Sequence, residues 1–190
     1  MKFLLASILA LLLSFNSYSQ NADSIKSFAD AAVNAVKWDI QKAEKGTLMF
    51  LDVPYQRDNY DSVEYLTLTV AKNKSVTRPA FISVIIPSNV NQANGIFVKF
   101  SKTVKKDGEW AMEMGKGNPV RVNFERCNDE TCTARIIDGY VSEDNGEQRD
   151  IFQKFLNFDH VLFLFIYPDG THKSVAVPLF SFKEQYKTLD

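Results

Sequence analysis

The side chains with the clearest chemical potential are two cysteines, Cys127 and Cys132, set in "RCNDETCTAR", and two histidines, His160 and His172. Three chemistries are open to them. A redox pair favours Cys-x-x-Cys spacing at a helix N-terminus, where the dipole lowers thiol pKa. Here four residues intervene, and the flanks "VRVNFE" and "TARII" read as strands. A Cys2His2 zinc site needs all four side chains at one ion. His160 opens one strand and His172 opens its neighbour across Pro168-Asp169-Gly170, so the two histidines belong to opposite ends of a hairpin. The third chemistry is a disulfide, which we prefer. Residues i and i+5 flanking a tight loop come within bridging distance, and closing so small a ring removes about 2 kcal/mol of unfolded-chain entropy. The simplest register facing Cys127 with Cys132 also faces Phe124 with Arg135. A bulge or shifted register is therefore expected in this hairpin.

Other constellations carry less. Asp144, Glu147 and Asp150 in "SEDNGEQRD" suggest calcium, but the alternating ligands, central glycine and closing Glu of an EF-hand loop are missing, so a solvated loop before a helix is expected. Asp159 and His160 adjoin, and neighbours in a strand point to opposite faces, so they are not a dyad by themselves. No G-x-S-x-G elbow, H-E-x-x-H, P-loop or G-x-G-x-x-G is present. We therefore expect no catalytic residue, no metal and no cofactor. Asn73-Lys74-Ser75 is a glycosylation sequon, informative only in a eukaryotic host.

Binding leaves a different trace. Trp110, Met112 and Met114 stand at alternate positions in "KDGEWAMEMGKG", between glycine-rich turns. We prefer the reading in which they pack inward as one face of a hairpin strand; the other makes them a contact patch of one aromatic and two adaptable methionines. "YQRDNYDS", Tyr55 to Ser62, reads as a second polar loop with exposed tyrosines. The densest basic stretch, Lys99, Lys102, Lys105 and Lys106, has acidic surroundings and reads as a solvated strand end and turn. With 22 Lys and Arg against 23 Asp and Glu, the chain has no nucleic-acid footprint.

The elements that must position these residues follow from periodicity. "ADSIKSFADAAVNAVKW" spaces Ile25, Phe28, Ala32 and Val36 as a short helix, capped by Asp23 or Ser24. The period then falls to two: Trp38 with Ile40, Leu48 with Phe50, and Leu66 with Leu68 and Val70, in segments rich in β-branched and aromatic residues. "FISVIIP" and "HVLFLFIY" are nearly unbroken apolar runs, the mark of strands covered on both faces. Pro168-Asp169-Gly170 followed by Val175, Val177 and Leu179 predicts a hairpin, and Asn94-Gly95 and Lys106-Asp107-Gly108 predict turns. "MGKGNP" reads as a loop. Ile151, Phe152, Phe155 and Leu156 share a helical face; Ser181 with Glu184 offers a capping box before Phe182, Tyr186 and Leu189. The expected fold is mainly β: a single antiparallel β-sandwich-like domain with two or three short peripheral helices.

The start, "MKFLLASILALLLSFNSYSQ", joins Lys2 to an apolar run and to the small residues of Ser17-Tyr18-Ser19. This predicts a signal peptide over residues 1–19 and a mature domain over 20–190. The apolar run is about half the roughly twenty residues a membrane helix needs, so no integral membrane segment is expected after cleavage. No cysteine lies near the cleavage point for a lipid anchor. Export to the periplasm or beyond suits the disulfide, which forms in oxidising compartments.

From about Phe81 to Leu189 the chain resembles the invasion-associated locus B family of bacterial periplasmic proteins. The matching elements are an apolar strand ending in Pro, "VIIPSNVNQANGIFVKF", and a Cys-x(3–4)-Cys-x-Ala segment, "VNFERCNDETCTARI". A short Leu/Phe helix, "RDIFQKFLNF", and a terminal Pro-Leu element, "VAVPLFSFKEQYKTL", follow in the family's order. Departures are a missing second cysteine pair after Trp38 and Ser181 where the family has glycine before phenylalanine. The resemblance implies an exported, non-enzymatic periplasmic or surface-associated binding protein supporting host-cell invasion, virulence or envelope function. Its partner would be another envelope or host protein, and the resemblance carries no catalytic residues. The alternatives are a small secreted hydrolase or inhibitor-like module with a loop-built site, and a structural subunit of a surface appendage.

Overall fold

The computed structural model describes residues 38–44, 46–58, 60–73, 79–137, 140–142 and 148–189. By its contacts the chain divides at Ala35/Val36, and every described element belongs to the unit Val36–Asp190. The expected signal peptide, the first helix, the sequon beyond Asn73, and Asp144 and Glu147 lie outside the described residues.

Among its described residues the unit is mainly β and sandwich-like, with two antiparallel sheets and two short helices. Strands β1 (Asp39–Ala43), β2 (Gly46–Gln56), β3 (Val63–Asn73) and β4 (Pro79–Pro87) run as a meander. β8 (Phe124–Cys127) and β9 (Thr131–Ile137) complete that sheet in the order β1-β2-β3-β4-β9-β8. The second sheet has the order β13-β12-β5-β6, from β5 (Ile96–Lys106), β6 (Glu109–Met114), β12 (His160–Ile166) and β13 (His172–Pro178); β7 (Val120–Val122) also pairs with β5. A separate ribbon joins β10 (Tyr140–Ser142) and β11 (Gln148–Asp150), and the helices are α1 (Phe152–Asn157) and α2 (Phe182–Lys187).

Alternation decides what each strand buries. Leu66, Leu68 and Val70 of β3 are buried, as their spacing predicts, and face Val53, Leu51 and Met49 of β2. β12 departs from its expected double cover. Val161, Phe163 and Phe165 are wholly buried, whereas Leu162, Leu164 and Ile166 remain half-buried. One face of β12 thus meets the core and the other is only partly shielded. Trp38 and Ile40 also part company. Trp38 is buried and precedes the ladder, while Ile40 is exposed within edge strand β1.

Both helices cover the core with aromatic residues. α1 buries Phe152 and Phe155, and α2 buries Phe182 and Tyr186. The expected capping box is absent: Ser181 makes no cap bond, and its Oγ instead accepts from Gln185 Nε2 at 3.2 Å. The residue stands half-turned at φ −100°, ψ 4°, outside the extended conformation that N-cap bonding favours.

The cysteine hairpin has the predicted irregularity. Cys127 faces Cys132 and Arg126 faces Thr133, but Phe124 faces Ala134, so Glu125 is the extra residue of a β-bulge. The bond Cys127–Cys132 is formed, with S–S 2.03 Å. Asn128 organises the loop: its Oδ1 accepts from the backbone N–H groups of Glu130 at 2.9 Å and Thr131 at 2.7 Å. Ser88, just past β4, donates from its N–H to the Glu130 carbonyl and from its Oγ to the Asp129 carbonyl. The staple thus fixes one edge of the six-stranded sheet and presents no open thiol.

Candidate functional site

The sequence-predicted residues fall on two different sheet edges. Cys127 and Cys132 belong to β8 and β9 at the end of the first sheet; Trp110, Met112 and Met114 belong to β6 at the end of the second. His160 and His172 do occupy opposite ends of the β12–β13 hairpin, facing Pro178 and Ile166 respectively. Among the described residues, no three His, Cys, Asp or Glu side chains gather as a metal-ligating group.

The β5–β6 hairpin is built by its turn. Asp107 at φ 51° and Gly108 at φ 90° are both left-handed, the requirement of a two-residue type I′ turn, and Asp-Gly is the dipeptide that meets it cheaply. The register then runs without a break from Lys106↔Glu109 to Ser101↔Met114. Gly115 closes the strand: its N–H donates to the Phe100 carbonyl at 2.8 Å, and a Cβ there would meet a Phe158 ring atom at 3.1 Å. Glycine is what lets the chain pass this close to the sheet.

All six residues of β6 are exposed. Inward packing of Trp110, Met112 and Met114 is therefore not what the structure shows: they are 49%, 47% and 49% exposed on one face of the strand. Glu109, Ala111 and Glu113 occupy the other face, where Glu113 meets Lys106 at 3.4 Å. Both members of that pair are mostly in water, so it adds well under about 1 kcal/mol. No described strand pairs with the outer edge of β6.

Near the foot of β6 lies a shallow concavity lined by Phe100, Gly115, Lys116, Asn118, Lys154 and Phe158, among others. Its volume of about 10 Å³ is room for a single water, so it offers no seat for an organic substrate.

Sequence reasoning missed a polar cluster at one end of the sandwich. Tyr55, expected in an exposed loop, is buried in β2. Its hydroxyl, the Tyr167 hydroxyl and Glu64 Oε2 are enclosed together, while Glu64 Oε1 accepts from Asn89 Nδ2 at 2.9 Å. Burial, and after it the Glu64 carboxylate, pushes the Tyr55 phenol far above its usual range and the Tyr167 phenol up to about 12. Arg57 closes the cluster, its guanidinium 3.9 Å from the Tyr167 ring and 4.3 Å from the Tyr60 ring, and paired with the Asp169 carboxylate. Lys173 pairs with Asp58 beside it at 2.9 Å. Arg57 thereby links the segment after β2 in one sheet to the β12–β13 turn in the other. Arg57 and Tyr60 beside a tyrosine-rich strand end were a visible signal; Asp169, 112 residues away, was not.

His160 also has a structural part. Its ring meets Phe180 edge-on at 4.9 Å, and its Nδ1 has no hydrogen-bond partner among the described residues. Burial holds its pKa below the usual 6.5, with the Asp159 carboxylate opposing. The folded chain therefore keeps His160 neutral where the unfolded chain takes up a proton, so stability should start to fall as pH drops below about 6.5. Asp58, lowered chiefly by Lys173, and Asp169, lowered chiefly by Thr171, add their own losses only below about 3.8. Denaturant midpoints across this range should show a shallower slope near pH 6 in His160→Gln than in the parent; equal slopes would reject the assignment.

The chain matches no family model, no curated protein and no solved structure.

Proposed function

We propose that this is an exported, non-enzymatic binding protein of the bacterial envelope, engaging another envelope or host protein through the outer edge of β6. The observation that carries the reading is the exposure of β6 on both faces, with Trp110, Met112 and Met114 aligned on one of them. Each of the three leaves about half its apolar surface in water, surface that only a partner can bury, and tryptophan and methionine are enriched at interfaces, tryptophan among the anchors. Support for export comes from the predicted leader over residues 1–19 and from the Cys127–Cys132 bond, which persists in oxidising compartments. No described helix is long and apolar enough to cross a membrane. The resemblance over Phe81 to Leu189 points to host-cell invasion or envelope fitness as the setting.

Photocrosslinking in intact cells tests this reading. A benzophenone amino acid at position 112 should join the protein to one discrete envelope or host protein, and the same probe at position 133, on the stapled sheet, should not. Mass spectrometry of the product should find residues 1–19 absent and Cys127 joined to Cys132. An intact leader with free thiols, or identical products from both positions, would reject the proposal.

A further inference from the structure

We infer that β6 takes its partner by strand addition. The occupant is an extended segment of another protein, antiparallel to β6, with apolar side chains beside Trp110, Met112 and Met114 and Lys or Arg opposite Glu109 and Glu113. The inference rests on the docking role proposed for β6 and specifies its chemistry.

Hydrogen-bond parity is the first ground. Lys106 and Glu109 flank the type I′ turn, and Gly115 N–H bonds to Phe100 O at the far end of the ladder. Both ends place odd-numbered residues of β6 in hydrogen-bonded pairs with β5, since such pairs alternate along antiparallel strands. The backbone N–H and C=O groups of Trp110, Met112 and Met114 therefore point away from β5, along the open edge. The three residues with the large apolar side chains are the same three whose main chains can accept another strand.

Comparison with the other edges is the second ground. Exposed edges are blunted in stable proteins by charge, proline or bulges. β1 carries Asp39 and Lys42; β8 has its bulge, Glu125 and Arg126; β13 carries Lys173 and ends at Pro178. β6 has no proline and no register break, and its two charges, Glu109 and Glu113, are of one sign and lie on the face opposite Trp110, Met112 and Met114.

Charge selects the occupant. On the β5 side, Lys106 stands opposite Glu109 and Lys102 opposite Glu113. A second strand is favoured where it supplies the same countercharges on the far side. A second copy of β6 cannot supply them, because "EWAMEM" holds two acids and no base. The preference describes an alternating apolar and basic segment of a different protein, adding main-chain bonds for affinity and side-chain alternation for specificity.

The probe is a blocked hexapeptide, Val-Lys-Leu-Thr-Val-Lys, which in antiparallel register sets its apolar residues opposite Met114, Met112 and Trp110 and its lysines opposite Glu113 and Glu109. Residue-resolved deuterium exchange should show protection gained at the amides of Trp110, Met112 and Met114. N-methylation of the peptide leucine should weaken binding at least tenfold, as should replacement of both lysines by glutamate. Unchanged affinity of either modified peptide, or no protection at these amides with millimolar probe, would overturn strand addition. If the probe at position 112 still crosslinks a discrete partner in cells while the peptide series fails, the docking role stands and only its mode is lost; failure of both removes the docking role as well.

Discussion

Phe182→Ala should cost about 3–5 kcal/mol of stability, the range for a large aromatic removed from a packed core. Phe182 has no exposed surface, and its ring meets Trp38 edge-on at 5.3 Å, Phe155 at 5.6 Å, Tyr186 at 6.0 Å and Phe152 at 6.4 Å. Through Phe155 the chain of rings reaches Phe100 of β5 at 5.1 Å. Truncation therefore leaves a cavity among rings belonging to both helices, and edge-to-face contacts contribute about 0.5–1.5 kcal/mol beyond their buried area. Urea denaturation checks the figure. A loss below about 1 kcal/mol would mean that the helices are dispensable covers. Phe182→Leu, which keeps much of the volume, should lose less than half as much.

The second large effect belongs to Arg57. Its side chain is only 11% exposed, between two tyrosine rings and against Asp169, and it joins the segment after β2 in one sheet to the β12–β13 turn in the other. Arg57→Ala should cost about 2–3 kcal/mol, from two partly desolvated cation–ring contacts, the ion pair and the packing of the aliphatic stem. Arg57→Lys keeps the charge without the flat guanidinium face and should recover less than half of that loss. Full recovery by lysine would show the ion pair to be dominant and the ring contacts idle. Guanidinium melts would be ambiguous because salt screens the pair, so thermal unfolding at two low ionic strengths is the suitable measurement.

Much of the fold was legible because its signals are local. Pro168-Asp169-Gly170 and Asp107-Gly108 are turn chemistry in themselves, and the spacing of Ile151, Phe152 and Phe155 suffices for a helix. Even the bulge beside Cys127 followed from register arithmetic, because a staple between fixed positions makes Phe124 and Arg135 partners unless one residue is absorbed. What stayed hidden depended on distant contacts. Tyr55 looked exposed for its polar neighbours, and the period-two reading of β2 grouped Leu48 with Phe50, whereas the face that is buried is the other one, with Met49, Val53 and Tyr55. Its clamp joins Arg57 to Asp169, and no local pattern links the two. For Trp110, Met112 and Met114, alternation assigns one face; whether anything covers that face is set by where β6 lies in the sheet, at an edge beyond the packed layers.

That edge is the centre of the functional reading, and one variant tests it most directly. Trp110→Ala should be combined with the crosslinking probe at position 112, with unfolding free energy and crosslinking yield measured on the same protein. Stability should stay within about 0.5 kcal/mol of the parent, as for an exposed residue, while crosslinking falls at least tenfold, as for an interface anchor. A stability loss of about 2 kcal/mol or more with crosslinking unchanged would show Trp110 to be ordinary core and would contradict the docking edge.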